Sequence, residues 1–514
     1  MSSGVVVVGG GTVGLMLAHE LGLAGVDTVL VERAERGGKE APALALNAGV
    51  VELLTLRGFM DTLREVSIDF PAAQWGYLWL DPGRLRDPHP CTIGLHQPVL
   101  EAHLRAAVRR LGVDVRIGQE VVGLSQDEDG AVVEVDTGSG RESIRCRYVV
   151  GCDGKFSTVR ELAGMDYPGE EFPYYGIHGE VVVESGSSLL GHLQPVFYPA
   201  GNFIVSPPDP EVLGVVTGKV APPADGRLPL RILTGEFGTE PPDRRAPVTV
   251  EELRVQAKRI TGKDVDLGEP RWLERWDYTV RQTTRYRNGR VFLAGDAAHV
   301  HFPLGGVALS TGLDDAVNLG WKLAADINGW APKGLLDTYH DERHPAAERV
   351  CGSTQAQVFL LHPLEKAEPL REILTELVEF EDVNEYFVKL AGGLEPDYAM
   401  EYEGEDRWAE PHPLLGSRLA DHPLRAAAGA TSVSRQLYAG RGVLLDLSEG
   451  ALPVRDVAGW ADRVDVVAVA ATEAIDARAV LLRPDGRVAW AQRQAGDTAG
   501  LRTALGAWFG EPKP

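Results

Sequence analysis

The chain opens with apolar runs that do not alternate. Residues 5–8 read Val-Val-Val-Val and residues 28–31 read Thr-Val-Leu-Val. A short uninterrupted apolar run suits a strand buried on both faces, as in a parallel sheet. Between the two runs, residues 13–25 carry apolar side chains at helical spacing, which predicts a β-α-β unit. Leu100, Leu104, Ala107 and Leu111 share one face of a helix predicted over 98–111, and strands are predicted at 113–117, 131–135 and 147–150.

From about 168 to 285, Pro- and Gly-rich stretches such as "SPPDPEVLG" and "VAPPADGRLP" separate strand-like runs, with one helix predicted near 250–261. An apolar strand returns at 291. A helix is expected from about Thr311, with Thr311 and Asp314 as its cap and Leu313, Ala316, Val317, Gly320 and Ala324 as its packed stripe. A second Pro-rich stretch, "AEPHPLLGSRLADHPL", precedes strands at 442–446, 464–470 and 478–482. "RPDGRVAW" then supplies a hairpin turn. The expected fold is α/β. Residues 1–167 and 286–395 form a Rossmann-like domain, residues 168–285 interrupt it with a mainly β domain that 70–95 are candidates to join, and residues 405–514 form a last α/β domain.

Composition removes several classes of function. Hydrophobic residues make up 44% of the 514 residues, yet no apolar run approaches the ~20 that a spanning helix needs. The N-terminus enters a strand almost at once, so no signal peptide is expected and the cytoplasm is the expected compartment. A net charge of −23 without clustered Lys or Arg argues against nucleic-acid binding. Four cysteines without a C-x-x-C argue against zinc and disulfides, and the His299-x-His301 pair lacks further ligands, so no metal is expected.

The chemistry lies in the loops. Gly9-x-Gly11-x-x-Gly14 joins strand to helix, and Glu32 ends the next strand. The glycines allow a pyrophosphate to approach the backbone at a helix N-terminus, and Glu32 is placed to accept from ribose hydroxyls. The same spacing also serves a tight turn with no ligand, and it does not say which dinucleotide binds. Two further loops, "VVGCDGKFSTVR" (149–160) and "GDAAHVHFP" (295–303), follow strands of the same domain.

With three such motifs in order, the chain resembles the single-component FAD-dependent aromatic hydroxylases of the para-hydroxybenzoate hydroxylase type. Within them it resembles the longer enzymes that oxidise aromatic polyketides and carry a thioredoxin-like C-terminal domain. The resemblance implies that Gly9, Gly11, Gly14 and Glu32 hold the ADP half of FAD, with Arg33 and Val121 beside it. It implies that Gln97 contacts the cofactor, that Asp153 and Arg160 serve FAD and NAD(P)H, and that Asp296 binds the ribityl chain. Pro303, Gly305 and Gly306 would lie beside the isoalloxazine, with backbone donors at Leu309 and Ser310. NAD(P)H would reduce the flavin, O2 would add at C4a, and the hydroperoxide would hydroxylate a polycyclic aromatic substrate. The chemistry would be flavin-borne, with no obligatory catalytic side chain. Related Baeyer–Villiger or oxidation–dehydration chemistry, or a non-catalytic binding protein on the same scaffold, are the alternatives. A homodimer is compatible with this reading.

The chain departs from the family pattern in two places. Where Gly-Gly-Gln-Gly-x-Asn-x-Gly is usual it reads "GGVALSTG", and Pro42 and Gly49 stand where arginines are usual. A left-handed Ala308 would cost about 1–2 kcal/mol, and Pro42 would weaken FAD retention. For the substrate, Trp75, Tyr77 and Trp79 are expected on one face of a strand. Phe197, Phe203, Tyr174, Tyr175 and His178 are further candidates, with ordinary packing as the competing reading. The C-terminal domain holds no cysteine, so its role is packing or assembly.

Overall fold

The computed structural model describes the chain except residues 1–2, 36–44, 194–195, 241–242, 244–245, 303, 395–396, 401–411, 449–451, 453–456, 495–497 and 499. Pro42 and Pro303 therefore lie outside the described residues.

The Val-rich run forms the strand Ser3–Val8 at the centre of a sheet. Thr28–Glu32 pairs with it in parallel on one side and Arg141–Gly151 on the other, with Asp114–Ile117 and Val291–Leu293 further out. Residues Val5, Val6 and Val7 are fully buried, which is why their sequence shows no alternation. Helix Thr12–Leu23 returns across the sheet and packs on the long helix Val307–Ile327. The strand Glu120–Gln126, absent from the sequence reading, pairs antiparallel with Ala131–Asp136. Its alternation is weak because only Val121 is buried and the other residues are half-buried or exposed.

The insert is a six-stranded sheet in the order Val196–Tyr198, Gly201–Ser206, Arg227–Phe237, Gly169–Glu184, Glu269–Gln282 and His299–Val300. Helix Val250–Thr261, capped by Thr249 and ended by the left-handed Gly262, covers one face. The edge strand His299–Val300 belongs to the loop that leaves the α/β sheet at Leu293, so one short loop ties both sheets together. Residues 70–95 do not enter the insert's sheet. Ile68–Phe70 and Thr92–Gly94 form a small sheet with Ala45–Leu46, and the hairpin Ala73–Trp75/Leu78–Leu80 packs against helix Glu381–Gly392.

The C-terminal sheet has the order Val464–Ala468, Gly442–Asp446, Ala479–Leu482, Val488–Gln492. Its first pair is parallel and the rest antiparallel, and helix Leu501–Phe509 packs on it. Among the described residues no helix is long and apolar enough to cross a membrane.

Candidate active site

The first strand-to-helix turn is made of backbone. Gly9 has φ +107°, and a Cβ there would collide with the Cys152 carbonyl. A Cβ on Gly14 would collide with the Gly9 carbonyl. A Cβ on Gly11, by contrast, would meet nothing within 4 Å. Two glycines are thus required by the fold, while the third leaves room. Gly11 also precedes helix Thr12–Leu23 without any side-chain cap, so the first N–H groups of the helix remain available to a ligand. A cavity of about 260 Å³ opens here, bordered by Gly9, Gly11, Glu32, Arg33, Val121 and Asp153. The Glu32 carboxylate accepts from the Gly10 N–H at 2.6 Å and the Ala34 N–H at 2.7 Å, which fixes it at the rim. Arg33 is exposed and reaches Glu120 at 4.0 Å. Gln97, in the first turn of helix Gln97–Arg110, donates to Thr12 Oγ1 at 3.2 Å and to Glu101 at 3.0 Å, joining that helix to the first one.

The second loop is braced by its own side chains. Asp153 accepts from Ser157 Oγ at 2.5 Å and from the Val159 N–H at 3.1 Å, and burial raises its pKa. Arg160 is buried and donates to the carbonyls of Lys155 and Ala297, each at 3.0 Å. Its guanidinium also lies 3.9 Å from the Tyr167 ring centroid. Arg160 therefore holds this loop against the turn Gly295–Ala297, which carries Asp296.

Asp296 lies in a recess. Its carboxylate has solvent access, yet protein surrounds it closely enough that burial raises its pKa against the opposing pull of His299 and Lys155. Among the described residues its carboxylate has no hydrogen-bond partner, while its backbone carbonyl accepts from the Tyr167 hydroxyl at 3.2 Å. Gly295, beside it, packs against Val13. An open Gly11, a crowded Gly9 and Gly14 and an unpartnered carboxylate fit an extended dinucleotide with a hydroxylated chain, which is the shape of FAD.

Gly305 and Gly306 take the left-handed φ values +69° and +72°, and the helix starts at Val307, four residues before the expected Thr311. Ala308 is therefore helical and carries no left-handed strain. Thr311 does not cap: its hydroxyl donates to the Val307 carbonyl at 2.8 Å. Val307 is buried, Leu309 packs on the core, and Ser310 is buried between the Val307 carbonyl and Asn47 Nδ2, which donates to it at 3.1 Å. Gly49 sits in helix Ala48–Thr55, where a Cβ would strike the Gly393 carbonyl, so a longer side chain is sterically excluded there.

Asp314 and Asp315 carry charge into the apolar face of this helix. Asp315 Oδ2 accepts from the Gly295 N–H at 3.0 Å and from His299 Nε2 at 2.7 Å, and Oδ1 accepts from Arg343 Nε at 2.8 Å. Asp314 faces Arg343, Arg418 and Arg487. Burial alone would raise both carboxyl pKa values, but the neighbouring cations, with His299 at Asp315, outweigh it and lower them. The sequence reading missed this cluster, although two adjacent acids amid an apolar stripe were a visible signal. His299 is thus a partner of Asp315, and among the described residues no group of metal-ligand type is found.

Several aromatic expectations change. Gly76 and Tyr77 both have positive φ, at 56° and 61°, and make a two-residue hairpin turn. Trp75 pairs with Leu78 and Trp79 with Gln74, so the two tryptophans point to opposite faces. Trp75 is buried, donates to Ser353 Oγ at 2.9 Å and packs on Phe387, which makes it core. Trp79 is 57% exposed. Phe203 is fully buried under helix Val250–Thr261, within the insert's own core. The Phe197 side chain lies outside what is described. The aromatics that do gather at the loop ahead of Gly305 are Tyr174, Trp276, Tyr278 and Phe302, with Tyr77 against them. Tyr174 stacks on Phe237 at 4.0 Å and donates to Asn202 at 2.6 Å, and Tyr278 meets Phe302 edge-on at 4.9 Å.

Comparison with known proteins agrees with this geometry. Residues 2–354 match the FAD binding domain family, and residues 412–512 match the aromatic-ring hydroxylase C-terminal family. The chain is 44% identical over 510 residues to a dialkyldecalin synthase of Streptomyces rugosporus, covering 99% of each chain. It is 39% identical over 511 residues to a rifampicin monooxygenase of Streptomyces venezuelae, covering 98% of each. The structure of the anhydrotetracycline hydroxylase OxyS from Streptomyces rimosus superimposes with a TM-score of 0.88 at 36% identity, over 100% of both chains. With both halves of the chain matched and the cofactor cleft formed, the chain belongs to the FAD-dependent aromatic-ring hydroxylases, the flavin-dependent monooxygenases.

Proposed function

We propose that this monooxygenase adds one oxygen atom from O2 to a polycyclic aromatic, polyketide-type substrate, using NAD(P)H from the cytoplasm as reductant. Bound FAD supplies the redox and oxygen-transfer chemistry. The chain's own residues bind, orient and exclude water. Glu32 would hold the ribose, the N-terminus of helix Thr12–Leu23 the pyrophosphate, and Asp296 the ribityl chain. The N-terminus of helix Val307–Ile327 would face the flavin ring with about half a positive charge, which favours the anionic reduced ring. The aromatic junction around Phe302 would keep water from the reacting edge. The observation that carries the reading is the combination of these parts. Gly11 is open, Gly295 beside Asp296 packs on Val13 of the helix that Gly11 precedes, and the left-handed Gly305 and Gly306 follow Phe302 and Leu304 of the aromatic cluster. The test is NAD(P)H oxidation by FAD-loaded protein with a panel of polycyclic phenols under labelled O2. Substrate-stimulated oxidation and a product carrying one labelled oxygen are expected.

A second reading is favoured by the 44% identity to a dialkyldecalin synthase. In it the same chamber folds a flexible substrate for ring closure, and the flavin serves as structure. The same assay separates the two, because ring closure gives a product of unchanged mass without NAD(P)H or O2.

A further inference from the structure

Phe156 is 77% exposed, although phenylalanine is among the residues most often buried. Its backbone is nonetheless fixed on both sides. Lys155 ahead of it is bonded to Asp277 and Thr279, and its carbonyl accepts from Arg160. Ser157 behind it is fully buried and bonded to Asp153. A loop so braced presents the ring outward by construction. The ring borders the same cavity as Glu32, Arg33 and Val121, and it is the only aromatic side chain among the described residues lining it. Two residues before it, Gly154 has φ +81° and open space where a Cβ would stand. Lys155 Nζ lies 5.6 Å from the Phe156 ring centroid, yet most of the ring stays exposed, so the lining of one cavity holds both a carboxylate placed for a ribose and an accessible aromatic ring. A planar heteroaromatic base on a ribose is the ligand that matches both.

We infer that Phe156 is the stacking face for the adenosine half of FAD, closing over it as a hydrophobic shield. This rests on the FAD reading above and adds a binding residue to it. Stacking on an aromatic side chain contributes about 1–3 kcal/mol per base, and because neither stacked ring carries a net charge, salt does not screen this contribution. The same adenosine chemistry also occurs in NAD(P)H, so the test must tell the two sources apart.

Apo-protein of the wild type, Phe156→Ala and Phe156→Trp is titrated with FAD, at low and high salt, and with ADP as a displacer of FAD. Because the side chain is exposed, the thermal unfolding of all three apo-proteins should coincide. Phe156→Ala should raise the FAD Kd about tenfold or more, equivalent to about 1.4 kcal/mol. It should weaken ADP by the same factor at both salts, and Phe156→Trp should restore both. An unchanged FAD Kd, or an FAD Kd that rises while ADP is unaffected, overturns the inference. So does a change confined to the KM for NAD(P)H, which would assign the ring to the reductant. A wild type that binds neither FAD nor ADP overturns the FAD reading itself.

Discussion

The turn holding Gly9, Gly11 and Gly14 and the turn running from Gly295 to Gly306 both lead an apolar strand into a long helix, and both use left-handed glycines. The first is set by close backbone approaches within a few residues and against Cys152. The second is held by charge. Asp315 ties the Gly295 N–H to His299 and Arg343, and Asp314 meets Arg418 and Arg487 from the C-terminal domain. A steric turn needs only its own residues. A charged turn inside a protein needs partners that neutralise it, and these come from far along the chain. The C-terminal domain contributes two of these cations to the helix that starts at Val307.

The largest effect should come from breaking the charged side. Asp314→Leu leaves Arg418 and Arg487 facing no carboxylate from this helix, and losing one partner of a buried pair costs about 3–5 kcal/mol. Urea unfolding would measure it, and a loss below about 1 kcal/mol would mean that apolar packing, not charge, holds this helix.

A pH effect of similar kind should follow at His301. Burial lowers its pKa from 6.5 to about 4. The unfolded chain therefore binds a proton at His301 that the folded chain refuses between these values, so stability is complete above about pH 6.5 and declines as pH falls toward 4. The loss at pH 4 approaches about 3 kcal/mol. Replacing His301 with Gln should flatten that part of the stability-versus-pH curve measured by urea melts. If the curve keeps its slope, other groups carry it.

At Asp296 the comparison shifts from folding to binding. The carboxylate has no partner among the described residues, so Asp296→Ala should leave apo-protein stability nearly unchanged. The FAD Kd should rise about tenfold to a hundredfold, the equivalent of about 1.4–2.8 kcal/mol. Fluorescence titration of apo-protein reads this directly, and a Kd within twofold of wild type would remove Asp296 from the site.

The smallest stability change belongs to Gly11→Ala, under about 1 kcal/mol, because the new Cβ meets open space in the apo-protein. The same methyl should nevertheless obstruct the pyrophosphate, so FAD retention should fall while the melting curve stays in place. Gly14→Ala is the contrast: its Cβ strikes the Gly9 carbonyl, and it should lower the melting temperature itself. Equal behaviour of the two variants would erase the distinction between a glycine kept for the fold and one kept for the ligand.

The turn holding Gly9, Gly11 and Gly14 was legible because its signals are local. Val5 to Val8, the three glycines and Glu32 lie within one β-α-β unit, where each residue's role follows from its neighbours in sequence. The turn from Gly295 to Gly306 was legible only in part. Asp296 and the paired glycines stood out, but the helix start at Val307 did not, because the sequence reading placed the cap at Thr311 and Asp314. Their partners are the Val307 carbonyl and three distant arginines. The Trp-Gly-Tyr-Leu-Trp stretch reads as one alternating strand, and only the left-handed φ at Gly76 and Tyr77 turns it into a hairpin whose tryptophans diverge.

The sequence by itself determined the α/β framework, the β insert and the dinucleotide turn, since hydrophobic period and glycine spacing act over a few residues. Tertiary structure alone decided which aromatics meet at Phe302, which acids are neutralised and by which arginines, and which glycine stays open. Those depend on which surfaces the two sheets and the C-terminal domain bring into contact, and a burial or a charge pair has no meaning until its partner is in place.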